Sequence, residues 1–246
     1  LRGLQEQVAR SRLVAAAYRA NQPNLRPELV RAQAGIQSAL AELDAIDART
    51  GAQLESTQKL GVVKENAAYL ASRVLAVPPV DTDMLHAKLQ DDIGALMAHV
   101  GDQSNLILDP DLDAYYMMEG VLLKLPDAAD LLLQARLLTQ AKALPQVAPD
   151  AFNADLIRLS GLIESNLART RYGAETAFKN EKTGQLKLRL VDPVQAYDTA
   201  IREAVAALRN LTVAGGGAAP AIEAAGQLLA RAQAANYTLG ERESAE

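Results

Sequence analysis

Between Leu25 and Leu54 the chain reads LRPELVRAQAGIQSALAELDAIDARTGAQL. Leu29, Gln33, Ile36, Leu40, Leu43, Asp47, Thr50 and Leu54 recur at alternating spacings of four and three. That period puts them on one stripe of an α-helix, the seam of a bundle or coiled coil, interrupted by the polar Gln33, Asp47 and Thr50. The pattern predicts helix from Leu25 to about Val77, which would approach about 80 Å if unbroken. Gly51 and Gly61 are the points at which it would bend or break, and Pro78-Pro79 stops it.

The same reading extends in both directions. Leu1 to Asn21 is helical and ends at Gln22-Pro23-Asn24. Asp81 or Asp83 caps a helix reaching about Leu106, with Leu85, Leu89, Ile93, Leu96 and Val100 on one face. Leu112 to Ala143 is helical, and Pro126 in its middle predicts a kink or break at Leu125. Leu144 to Pro149 is a loop, followed by helix from Asp150 to about Lys182 with Phe152, Leu156, Leu159, Ile163 and Asn166 on its seam. Lys179 to Val191 is polar. Asp192 then caps, and Pro193 opens, a helix to about Leu211. Gly215-Gly216-Gly217 marks a turn before a last helix entered through Ala218 or Ala219, with Pro220 at its start.

Composition agrees with this pattern. The 246 residues contain no cysteine and no tryptophan, with 4% aromatics and 49% hydrophobics, so sheet-forming residues are scarce. A net charge of −5 without a basic block excludes the electrostatic footprint of nucleic-acid binding. No apolar run reaches the roughly 18 residues that cross a bilayer. Long helices with short connections predict an all-α protein, an elongated antiparallel helical bundle. The preferred layout is two stacked four-helix modules sharing long helices, within a single domain spanning 1–246.

One corner carries more than fold information. Asp102 to Met118 reads Asp-Gln-Ser-Asn-Leu-Ile-Leu-Asp-Pro-Asp-Leu-Asp-Ala-Tyr-Tyr-Met-Met. Asp109 or Asp111 caps the following helix, Pro110 suits its first position, and Asp111 and Asp113 meet the positive end of its dipole. Capping does not account for Tyr115 and Tyr116, which point about 100° apart on a helix. Asp109, Asp111 and Asp113 also imitate the start of a calcium loop. Ala114 and Gly120 occupy its sixth and twelfth positions, where glycine and glutamate are needed, so no calcium is expected.

This phrase resembles one found in all-helical extracytoplasmic sensor domains of bacterial transmembrane receptors, both chemoreceptors and sensor histidine kinases. The match is Ser104 to Met118, with Ala114 where serine is usual, preceded by the His-x-x-Leu element at His86 and Leu89. Relatives often carry Gln-His-Arg-Gly-Leu-Ser in their first helix. Here Arg10-Ser11-Arg12-Leu13-Val14-Ala15 keeps an arginine and lacks the glycine and serine. The resemblance implies a periplasmic ligand-binding domain of a receptor that is dimeric in full length. It would be anchored by two transmembrane helices flanking this chain, which places Leu1 and Glu246 at the same end. It implies a ligand that is a small organic anion, such as acetate or a dicarboxylate.

Candidate ligand-binding residues follow. An anion between helices needs fixed donors, and the arginine fork matches a carboxylate. Arg10 and Arg12 lie about 200° apart on their helix, so at most one faces the core; Arg12 matches the family arginine and is preferred. Tyr115 and Tyr116 supply hydroxyl groups and Asn105 an amide. His86 and His99 stand on one helix without acidic partners at ligand spacing and read as satisfied or exposed side chains rather than metal ligands. No nucleophile–base pair with a recognisable local context points to catalysis, and no motif implies a cofactor. A helical scaffold or coiled-coil adaptor without a small ligand is the alternative.

Overall fold

The computed structural model describes residues 1–20, 22–104, 111–142, 149–213 and 219–245. The protein is an all-α helical bundle, and no strand occurs among the described residues. It divides into two compact units, Leu1–Ile107 and Leu108–Glu246.

The first unit contains α1 (Arg2–Arg19), α2 (Arg26–Thr50), α3 (Thr57–Arg73) and α4 (Pro79–Gln103), with a 3₁₀ turn at Pro23–Leu25. Cross-links between helices set their directions. Gln90 reaches the Gln5 carbonyl while Arg12 meets Asp83, so α1 and α4 are antiparallel. Asn66 meets Asp92 and Thr82 reaches the Val74 carbonyl, so α3 and α4 are too. Leu4, Val8, Leu29, Ile36, Leu40, Leu60, Val63, Leu70, Leu89 and Ile93 fill the core between them. Leu29, Ile36 and Leu40 are thus the seam that the 4–3 spacing marked.

The long helix expected from Leu25 to Val77 is two helices. The break falls after Thr50, at Gly51, whereas Gly61 lies inside α3. Asp47 and Thr50 do not continue the seam; Asp47 accepts the Ser56 hydroxyl, and the Ser56 amide donates 3.1 Å to the Gly51 carbonyl. A polar seam position became a turn ligand because its carboxylate does better bonding a chain reversal than buried in an apolar core. At 25 residues, α2 spans about 37 Å rather than twice that. Each described helix belongs to one unit, so the modules share none. The start of α4 also differs from expectation: Pro78 is the N-cap, Pro79 opens the helix, and Asp81 sits in its first turn. Asp83 is a helix-interior residue with a different task.

The second unit contains α5 (Leu112–Glu119), a π turn (Gly120–Lys124), α6 (Leu125–Lys142), α7 (Pro149–Asn180), α8 (Gln185–Val213) and α9 (Ala219–Glu243). The stretch from α5 to α6 runs antiparallel to α7, with Tyr116 beside Gly173 and Lys124 bonded to Asn166, and to α9, with Gly120 beside Glu243 and Arg136 bonded to Gln233; Arg209 pairs with Glu164 between α8 and α7. Phe152, Leu156, Leu159, Ile163, Leu132, Tyr197, Ile201, Leu208 and Leu229 form the core. Asp111 is the backbone N-cap of α5, one of the two expected, and Asp113 lies in its first turn. Asp109, Pro110, Asn105 and the 215–217 glycines lie outside the described residues.

The two internal prolines behave differently. Pro126 is accommodated by the π turn immediately before it, in which the Leu125 amide bonds the Gly120 carbonyl; widening the turn moves backbone away from the proline ring. Pro193 was expected to open a helix behind an Asp192 cap. Instead it lies inside α8, which starts eight residues earlier at Gln185. Leu186 and Leu190 are buried and carry the seam on to Tyr197 and Ile201, so apolar burial outweighs one missing backbone bond. The helix is instead entered through Gly184, at the cap position in a left-handed turn at φ +73°, and the hydroxyl of the preceding Thr183 accepts the Gln185 amide at 3.2 Å.

Candidate functional site

Arg12 and Arg10 lie on α1 of the first unit, and they separate as the helical angle demands. Arg10 is exposed. Arg12 is 12% exposed along its side chain, and its fork is engaged: Nε donates to Asp83 Oδ1 at 2.7 Å and one terminal nitrogen donates to Oδ2 at 2.9 Å. Asp83 comes from the second turn of α4 and remains half exposed, at 49%. The arginine therefore holds a carboxylate in the two-point geometry expected of an anion site, and the carboxylate is the protein's own.

One helical position inward lies a polar layer that the sequence did not announce. His86 is fully buried, and so is Ser11. The Nδ1 of His86 lies 2.8 Å from the Thr82 carbonyl, which can only accept, so that nitrogen carries the proton. Nε2 therefore accepts the Ser11 hydroxyl at 3.0 Å, and the Gln33 amide donates to the Ser11 oxygen at 3.4 Å. Burial drives the imidazole pKa from 6.5 down to about 4; the Arg12 charge acts the same way, while the Thr82 bond and Asp83 oppose it. His86 is a satisfied core histidine, and His99 bonds the Glu55 carbonyl near the surface. Among the described residues no three His, Asp or Glu side chains gather as a metal site.

Tyr115 and Tyr116 belong to the second unit, whereas Arg10 and Arg12 belong to the first. The structure brings them together with a third tyrosine, Tyr172 of α7. The Tyr115 and Tyr116 rings meet edge to face at 5.3 Å, and Tyr116 meets Tyr172 at 5.8 Å. A hydrogen bond with the Tyr172 hydroxyl, then burial, raises the Tyr116 pKa above its ordinary value. A cation stands beside this cluster: Lys124, a residue absent from the sequence-based expectations. Its ammonium stands 5.5 Å over the Tyr116 ring, donates 2.6 Å to Glu119 and donates 3.3 Å to the Arg169 carbonyl. Its side chain is 9% exposed and that of Glu119 is 23% exposed.

The π turn makes this pair possible. Residues five apart point about 140° away from each other on an α-helix, whereas a turn closed i to i+5 brings them to one face. Gly173 leaves the necessary space: a Cβ there would lie 3.2 Å from the Lys124 nitrogen and 3.3 Å from the Tyr116 ring. The Asn166 and Asn236 amides donate to the carbonyls of Lys124 and Leu125, fastening the junction to α7 and α9. The available signal was a lysine inside Val121-Leu-Leu-Lys-Leu, two residues ahead of a proline. The expected site residues thus fall into two clusters, Arg12 with Asp83 and the tyrosines with Lys124, while Asn105 lies outside the described residues.

No protein-family model matches the chain, and neither curated proteins nor solved structures provide a match. Among the described residues no helix is long and apolar enough to cross a membrane.

Proposed function

We propose that this chain is the periplasmic ligand-binding sensor module of a transmembrane signalling receptor, a chemoreceptor or a sensor histidine kinase. It takes a small organic anion such as acetate or a dicarboxylate at Arg12. The supporting observation is the Arg12–Asp83 fork, a largely buried guanidinium already presenting two-point geometry to a carboxylate that is itself half exposed. Asp83 acts as an internal occupant, and a ligand carboxylate replaces it. Because Asp83 belongs to α4 and Arg12 to α1, exchange removes a tie between two helices. That loss biases their packing, and a receptor would pass the shift to its membrane-spanning flanks. The receptor works as a homodimer, and the reading includes no catalytic step and no cofactor.

A half-exposed ion pair contributes about 1 kcal/mol, so Asp83 lowers ligand affinity by about fivefold. Thermal-shift and calorimetric titration with acetate and succinate should show binding by the wild type, tighter binding by Asp83→Asn, and none by Arg12→Ala. Unchanged affinity in Arg12→Ala would refute the site; no shift with any metabolite carboxylate would refute the receptor reading. The alternative, a helical scaffold without small ligand, draws on Val80 and Met84, which are 70% and 65% exposed one turn apart on α4. That stripe would hold a partner helix, and in the receptor reading it suits the second copy.

A further inference from the structure

We propose that Lys124, Glu119 and the tyrosines around them form a second site, for a small zwitterion such as an α-amino acid or a betaine. The inference is independent of the Arg12 reading. A lysine buried to this degree is costly in a helical core, and replacing such a pair with apolar residues is often neutral or stabilising. Here the protein adds a π turn, a glycine at 173 and two amide clamps to keep it. Neighbouring core positions, Leu125, Ala128, Leu132, show that an apolar residue would fit the bundle.

The charges define the ligand. A simple anion drawn to Lys124 would leave the Glu119 carboxylate beside it without its cation. A simple cation drawn to Glu119 and the rings would leave the largely buried Lys124 ammonium without the carboxylate that neutralises it. A molecule carrying both charges a few bonds apart keeps both residues paired: its carboxylate accepts from the Lys124 ammonium, and its ammonium faces Glu119 and the tyrosine rings. Aromatic faces bind ammonium groups whether or not these carry hydrogens, so methylated and unmethylated amines both suit the rings. Entry is from the side of Tyr172, which is 61% exposed, and of the partly exposed Glu119.

The test is calorimetric titration of the whole chain with L-alanine, glycine betaine, acetate and methylamine, with and without saturating acetate. Both or either zwitterion binds the wild type, and saturating acetate at Arg12 leaves that isotherm unchanged. Glu119→Gln weakens zwitterion binding by about tenfold or more, and Tyr172→Ala, at an exposed position that does not threaten the fold, by about fivefold. Methylamine fails to displace the zwitterion. The proposal is overturned by the absence of binding for both zwitterions, by unaltered affinity in a folded Glu119→Gln, or by equal binding of methylamine. A difference between L-alanine and glycine betaine identifies which headgroup the rings select.

Discussion

His86 makes the stability of this protein depend on pH in a calculable way. In the folded chain its pKa falls to about 4, against 6.5 when free. The unfolded chain therefore takes up a proton at higher pH than the folded one. Stability from neutral burial is complete above 6.5 and is lost as the pH falls toward 4. Each pK unit corresponds to 1.36 kcal/mol, so the shift amounts to about 3 kcal/mol when fully expressed, and to about 2 kcal/mol between pH 7 and pH 5. The structural reason is specific. Nδ1–H is committed to the Thr82 carbonyl and Nε2 to the Ser11 hydroxyl, so a second ring proton must reverse the hydroxyl and set a charge near Arg12.

The measurement is urea unfolding by far-UV circular dichroism at pH 7 and pH 5, in the wild type and in His86→Gln. Other groups titrate too, but they do so in both proteins. The wild type should lose about 2 kcal/mol more than the variant between the two pH values. A difference below about 0.5 kcal/mol would show that the imidazole is not held neutral, and the assigned proton arrangement would be wrong.

Three further outcomes are expected. Gly51→Ala destabilises by about 1–3 kcal/mol in urea unfolding, because its Cβ would lie 2.5 Å from the Asp47 carbonyl and carboxyl carbon. Gly61→Ala, with nothing within 4 Å of the new methyl, stabilises by about 0.5–1 kcal/mol; opposite signs at the two glycines are the check. Arg19→Ala costs about 2 kcal/mol in the same assay, since the guanidinium donates to the Val74 and Val77 carbonyls where α3 ends.

The fold class was legible because burial in a helical bundle writes itself as a period, and Leu29, Ile36, Leu40, Phe152, Leu156 and Ile163 are buried where the period put them. Boundaries were less legible because the same residue types serve two local physics. Pro126 and Pro193 look alike in sequence. One sits behind a π turn, and the other is carried through α8 by Leu186 and Leu190, which pack with Ala177 and with Tyr116 and Met117 far upstream. Asp83 illustrates the difficulty at the site. An aspartate after two prolines is a natural cap, yet Pro78 already fills the capping position. The carboxylate then becomes available to a guanidinium 71 residues away.

Lys124 was missed for a related reason. On an α-helix of uniform pitch, Glu119 and Lys124 face different ways, and a lysine among leucines reads as a solvent-reaching stem. Only the i to i+5 turn turns it inward against Tyr116. The Lys124 cluster therefore depends on a departure from regular helix, the π turn, while Asp83 reaches Arg12 from the regular interior of α4. In each, a partly exposed carboxylate meets a largely buried positive charge. Such sites are stable only while both partners stay matched.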